Sequence, residues 1–258
     1  MMRRRFIAAS TICLAFPCYS NALSAADTEH RYSIRLAGLP IGSATLEPSL
    51  MPERYAAKVR AEAGWLGVGY RIEGEAGGLR SGPALTPETF RMVISGRTST
   101  PTTISMRFAG QTVVDYAMTP PAAANDLQNR VPITADQLKR VMDPLSALIS
   151  ASLVLDGDSG QLCRKSTNVF VGFARFDLQL EPKAQPATKG DAPQSVICRA
   201  RYKPVAGHRP DAPALVRLAA SQDIEVTFQR NRQDGLWVML RIALPTSVGQ
   251  LVVQRRGP

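Results

Sequence analysis

From Tyr32 the chain alternates: Tyr32, Ile34 and Leu36 fall on one face, and Ser33, Arg35 and Ala37 on the other. A period of two belongs to a strand with one buried face. Gly38-Leu39-Pro40 turns the chain into residues 41–47, which predicts a first hairpin. Tyr55, Ala57, Val59 and Ala61 continue the same period, and residues 65–75 read as a further strand punctuated by Gly67, Gly69 and Gly74. Isolated glycines inside a strand pattern mark bulges or bends, which curve a sheet. After a turn region at 83–87, residues 90–95, 103–108 and 112–118 give three more strands, the last two joined around Ala109-Gly110. Residues 27–31 are polar and read as a frayed start, and 120–129 as a loop.

The period changes once. Thr134 with Gln137 three residues later fits a capping box, and Leu138, Val141 and Met142 share a helical face. Asp143 as cap and Pro144 at the first helical position restart the helix. Leu145, Leu148 and Ile149 carry an apolar stripe to about Leu153, and Gly157 and Gly160 end it, so the expected helical segment is 134–153. Beyond it Phe176, Leu178 and Leu180 alternate with Arg175, Asp177 and Gln179, while Val196, Cys198, Ala200 and Tyr202 alternate with Arg199 and Arg201. A polar loop at 181–194 joins the two stretches. Residues 224–229, 236–244 and 250–255 are the last strands, the first two forming a hairpin that turns around 231–235.

The beginning of the chain has a different character. Arg3, Arg4 and Arg5 precede a short apolar run at 6–16, and small residues follow around 22–26, as in a cleaved secretory signal. The expected division is a signal peptide over 1–25 and one β-rich domain over 27–258. The triple arginine resembles a twin-arginine signal but equally serves general secretion, which is the reading favoured here. Cys13 and Cys18 would leave with the signal, and the mature chain is expected in the periplasm without a transmembrane span, the run being shorter than the roughly twenty residues a bilayer requires.

Three of the 31 basic residues and none of the 21 acidic ones lie in residues 1–25, which leaves 28 against 21, a net charge of +7. That balance favours attraction to acidic surfaces. Beyond residue 25 the basic residues are scattered singly or in adjacent pairs, without a longer run or aromatic interleaving, so nucleic acid is not an expected partner.

In an oxidising compartment two thiols of one domain usually pair. Cys163 and Cys198 are therefore expected to form a structural disulfide that closes a loop of about 35 residues, worth roughly 4 kcal/mol in the chain-entropy model. A redox pair usually has Cys-x-x-Cys spacing, and zinc would need ligands that two histidines barely supply.

Five landmarks then form a set: Ala37-Gly38-Leu39-Pro40-Ile41-Gly42; Asp143-Pro144-Leu145-Ser146-Ala147-Leu148; Cys163; residues 170–178; and Cys198 through Tyr202 to Pro204-Val205-Ala206-Gly207-His208. In order and spacing the set resembles the bacterial exported family called domain of unknown function 3108 and covers nearly all of the mature chain. One feature departs from that pattern: the family tends to carry an Asp before the glycine of the fourth landmark and basic residues after it, where this chain has Val171-Gly172-Phe173-Ala174. The resemblance implies an exported, mainly β protein and supplies no catalytic residues.

Candidate chemistry is sparse. His208 follows a glycine in a loop, and any Ser-His-Asp triad would have to use it; no Gly-x-Ser-x-Gly elbow is present. Glu73 with Glu75, and Asp156 with Asp158, are carboxylate pairs that read as solvated. Asp156-Gly157-Asp158-Ser159-Gly160 lacks the terminal Glu of a calcium loop. Ser146 at the helix start is the sharpest local candidate, and a capped first turn accounts for every residue around it.

The expected fold is mainly β: a single strongly curved antiparallel sheet or incomplete barrel, with the helical segment against its concave side or plugging one end. In outline this resembles exported lipid-carrier half-barrels, an analogy at fold level only. The leading expectation is a non-catalytic periplasmic protein, with no cofactor or metal, that binds an apolar or lipid-like ligand or aids cell-envelope assembly. The alternatives are a partner-binding or structural module that uses a sheet edge, and a hydrolase centred on His208.

Overall fold

A computed structural model describes residues 29–65, 68–96, 100–154, 159–183, 195–231 and 235–257. The expected signal segment 1–25, with Cys13 and Cys18, lies outside the described residues, as do Gly67, Asp156, Gly157, Asp158 and most of the 181–194 loop.

The first half of the chain is a meander of seven strands: β1 (His30–Leu36), β2 (Leu39–Leu50), β3 (Arg54–Trp65), β4 (Val68–Ser81), β5 (Ala84–Gly96), β6 (Thr102–Ala109) and β7 (Thr112–Thr119). A connection follows with α1 (Ala124–Leu127), a single 3-10 turn (Ala135–Leu138), α2 (Pro144–Ser152) and α3 (Ser159–Leu162). The second half is a meander of β8 (Ser166–Phe170), β9 (Arg175–Pro182), β10 (Ser195–Ala206), β11 (Glu225–Arg230), β12 (Trp237–Thr246) and β13 (Gly249–Arg255), with α4 (Pro213–Ala220) between β10 and β11.

Among the described residues all thirteen strands form one antiparallel sheet, ordered β7-β6-β5-β4-β3-β2-β1-β13-β12-β11-β10-β9-β8 and not closed into a barrel. The two meanders join where β1 pairs β13, with Tyr32 opposite Arg255 and Leu36 opposite Leu251. Their far edges, β7 and β8, do not pair with each other and are joined in sequence by the helical connection. Because that connection must cross from one edge to the other, it runs through the concavity and carries α2 inside, against β3, β4, β5, β8 and β12.

Gly69 and Gly74 pair in continuous register, and the bulge of β4 falls further along the strand. In β4 the register with β5 shifts between Gly77 and Gly78. A Cβ at Gly78 would lie 2.1 Å from the Thr86 carbonyl oxygen, so no larger residue fits there. Pro87, expected in a turn, sits inside β5 at this bulge, where the ladder is already broken.

The two sheet edges come close together. Val141 N–H donates to Gln111 O, just before β7, at 2.9 Å; Met142 N–H donates to Asn168 O, and Phe170 N–H to Met142 O, both at 2.9 Å on β8. Tyr116 of β7 meets Phe170 of β8 edge to face, with ring centroids 5.2 Å apart. The β8–β9 turn reaches β6: at Gly172, where φ is +87°, a Cβ would fall 2.3 Å from Ile104 Cγ2.

Several sequence expectations need correction. The helical segment 134–153 is not continuous. The Thr134 capping box exists, with Thr134 N–H donating to Gln137 Oε1 at 2.8 Å, but it starts only the 3-10 turn. Arg140 turns the chain with φ +55°, the backbone groups of residues 141 and 142 then bond to the two sheet edges, and residue 143, which precedes a proline, is held extended. Val141 and Met142 reach the core from this extended bridge rather than from a helix. The strand expected over 65–75 is split, Trp65 ending β3 and Val68 opening β4. His30 is not frayed: it opens β1 opposite Leu46 and is 6 % exposed. Helix α4, which begins at Pro213, lies where no element was expected.

Candidate functional site

Helix α2 is set into the interior by its first turn. Asp143 caps it: Oδ1 accepts from Leu145 N at 3.0 Å and from Ser146 N at 2.9 Å. Oδ2 accepts from Ser146 Oγ at 2.5 Å, and Ser146 Oγ lies 2.6 Å from the Tyr55 hydroxyl on β3. With the serine proton directed at the carboxylate, Tyr55 is the donor to Ser146. Asp143 and Ser146 are fully buried, and burial pushes the Asp143 carboxyl up to about 6 although its hydrogen bonds pull the other way. Burial likewise raises the Tyr55 hydroxyl well above the ordinary phenol range. The network pins the helix N-terminus to the sheet, and no cavity described below is lined by Asp143, Ser146 or Tyr55.

The other end of α2 is held by Lys165, whose ammonium donates to Ser150 O and Leu153 O. A cation on the last carbonyls complements the helix dipole. Lys165 makes no ion pair among the described residues, and burial depresses it to about 8.

Between these anchors the helix divides the interior. Leu145 faces the first meander in a core with Tyr55, Phe90, Ile104 and Met106, joined by Phe170 of β8; Ile149 belongs to the same core and also borders the second cavity described below. On the other face, Pro144, Ala147, Leu148 and Ala151 look towards the second meander across a cavity of about 200 Å³. Its far wall is Val169, Phe176, Leu178, Leu180, Ala200, Val226, Phe228, Met239 and Ile242; Lys165 and Thr167 are its polar members. Ala147 and Ala151, one turn apart, are the reason for the space, since both are methyl side chains at positions where a leucine would reach the sheet.

A second cavity, about 240 Å³, lies beside the C-terminal half of α2 and is more polar, with His30, Tyr32, Ser152, Asn231 and Trp237 in its wall. Tyr32 donates to Met239 O at 3.1 Å, and burial pushes its hydroxyl up to about 12. Leu148 and Met239 line both cavities and partition them.

The Cys163–Cys198 disulfide forms as expected, with Cα atoms 5.1 Å apart. It ties the end of α3 to β10 rather than one strand to another, and the pair packs with Leu162, Leu180 and Ala200 at the boundary of the apolar cavity.

Other candidates are not brought together. His208 is half-buried beyond β10, its carbonyl accepting from Val131 N at 2.8 Å, and its Nδ1 has no hydrogen-bond partner among the described residues. Glu73 and Glu75 are exposed on β4, in register with Arg60 and Lys58 of β3. No group of three metal-ligating side chains occurs among the described residues. No helix among them is long and apolar enough to cross a membrane. Lys165 was not expected from the sequence, where it is the second of two adjacent cations, Arg164-Lys165, immediately before β8.

Fold and site together define a mainly β protein with a helix-split, partly hollow interior. No family model matches this chain, and neither does any curated protein or solved structure.

Proposed function

We propose that this chain is an exported, periplasmic, non-catalytic protein that holds an apolar or lipid-like ligand beside α2, in the service of the cell envelope. The reading includes kinship with the exported family of domain of unknown function 3108, supported by the chain's five landmarks. The observation that carries the ligand reading is the cavity of about 200 Å³ whose lining is apolar apart from Lys165 and Thr167. An apolar cavity of about 150 Å³ stays dry and takes up benzene, so this one suits an acyl segment of about eight carbons. A disulfide suits an oxidising compartment such as the periplasm.

The sheet-edge alternative has less support, because residues 141 and 142 already bond to Gln111 beside β7 and to β8 at Asn168 and Phe170. The hydrolase reading lacks its couple, since no serine or carboxylate reaches His208 Nδ1 among the described residues.

The test is calorimetric titration of the delipidated protein with octanol. One equivalent should bind, and Ala151→Phe, which fills the cavity from the helix side, should weaken binding at least tenfold. No binding by a folded wild-type protein, or equal binding by both, would count against the reading.

A further inference from the structure

Resting on that reading, we propose that the ligand is an anionic amphiphile, a single acyl chain ending in a carboxylate, and that Lys165 receives the carboxylate at the rim of the apolar cavity.

The argument begins with donors. A lysine ammonium has three N–H groups, and two of them are satisfied by Ser150 O and Leu153 O at the end of α2. One remains. Those two acceptors are neutral carbonyls, and no carboxylate forms an ion pair with Lys165 among the described residues. The partly buried cation therefore keeps its charge uncompensated, an arrangement that proteins avoid unless a counter-charge arrives. Of the neighbouring cations, Arg175 pairs with Asp177, Arg201 with Glu181 and Lys183 with Glu225, while Arg199 and Lys203 of β10 form no ion pair among the described residues. Lys165 alone of these cations lines the cavity.

The shape agrees. The helix side of the cavity runs from Pro144 to Ala151, two turns and about 10 Å at 1.5 Å per residue. Lys165 holds the Ala151 end, so a chain lying along α2 would leave its head group there and its tail against Phe176, Leu178 and Phe228. The depressed ammonium is consistent with a site that lacks its counter-ion.

The test compares octanoate with octanol on the full-length, delipidated protein at pH 7. A charge-assisted hydrogen bond predicts that octanoate binds about tenfold tighter. That ratio should fall to about one in Lys165→Gln and persist in Lys165→Arg. Equal wild-type affinities would overturn the anion assignment and leave the apolar site standing, whereas failure of both ligands to bind would overturn the site itself. A preference that survives in Lys165→Gln would remove Lys165 as its source. A crystal structure of the wild-type octanoate complex reads the contact without any variant. A carboxylate oxygen within about 3.2 Å of Lys165 Nζ is the expected result, and a carboxylate bound elsewhere would overturn it.

Discussion

The two faces of α2 meet unlike surroundings. Towards the first meander, Leu145 enters a filled core with Phe90, Ile104 and Met106, and the buried Asp143–Ser146–Tyr55 network fixes the distance to β3. Towards the second meander, Ala147 and Ala151 stand off from Leu178, Phe228 and Ile242 and leave a void. One helix thus serves as a packed wedge on one side and as the wall of a chamber on the other. The lesson is that the rigid side supports the hollow one: an unfilled apolar space tends to collapse unless its walls are held, and here the wall is held by a capped helix and a disulfide.

The largest effect expected is on the hollow side's brace. Replacing both cysteines, Cys163→Ser with Cys198→Ser, should cost roughly 4 kcal/mol from loss of a loop constraint, read as a lower urea midpoint. The next pair of variants addresses the contrast itself. Leu145→Ala, at a buried position that borders neither cavity, opens a new cavity in a filled core and should cost about 4 kcal/mol. Leu148→Ala, which already borders two voids, should cost nearer 2 kcal/mol. Equal costs would mean that the two faces are packed alike.

Protonation gives a third probe. Asp143 is raised to about 6 from an unfolded value near 4, so the folded state binds its proton more tightly. Its contribution is therefore complete below pH 4 and is lost as pH rises through about 6, an effect of order 2 kcal/mol. Asparagine keeps the cap without a charge. Asp143→Asn should accordingly gain stability relative to wild type between pH 4 and pH 7, measured as the difference in unfolding midpoints; a difference independent of pH would contradict the burial argument. The smallest effect is on the empty chamber: Ala151→Leu should stabilise the ligand-free protein by about 0.5–1 kcal/mol, as cavity filling often does, at the expense of octanol binding.

Much of the sheet was legible because alternation and glycine turns are local signals. The Gly38 and Ala109-Gly110 hairpins, the 223–241 hairpin and the alternation of 176–180 all fall where the pattern puts them. The helix was overextended for a tertiary reason. Val141 and Met142 have helical spacing, yet their backbone groups are taken by Gln111, Asn168 and Phe170, which no local pattern reveals. The missed α4 did carry a signal, Pro213 at its first position followed by Leu215 and Leu218, a short stripe lost in a Pro/Ala-rich stretch.

Of the site, Asp143 and Ser146 could be read as a cap, and they are one. The disulfide was readable from compartment and count. The chamber was not, because it is made by the absence of side-chain volume at Ala147 and Ala151, and an alanine on a helix looks the same whether it faces a wall or a void. Lys165 was hidden for a related reason: its partners are backbone carbonyls twelve and fifteen residues away.

The central claim is that the interior is hollow and apolar where Ala147 and Ala151 face the second meander and filled where Leu145 faces the first. A crystal of the ligand-free protein under xenon pressure measures this directly, since xenon enters dry apolar cavities. The account predicts xenon between Ala147 and Ala151 of α2 and Leu178 and Phe228 of the sheet, with none between Leu145 and Ile104. Ordered water in the first position, or xenon on the Ile104 side, would contradict it.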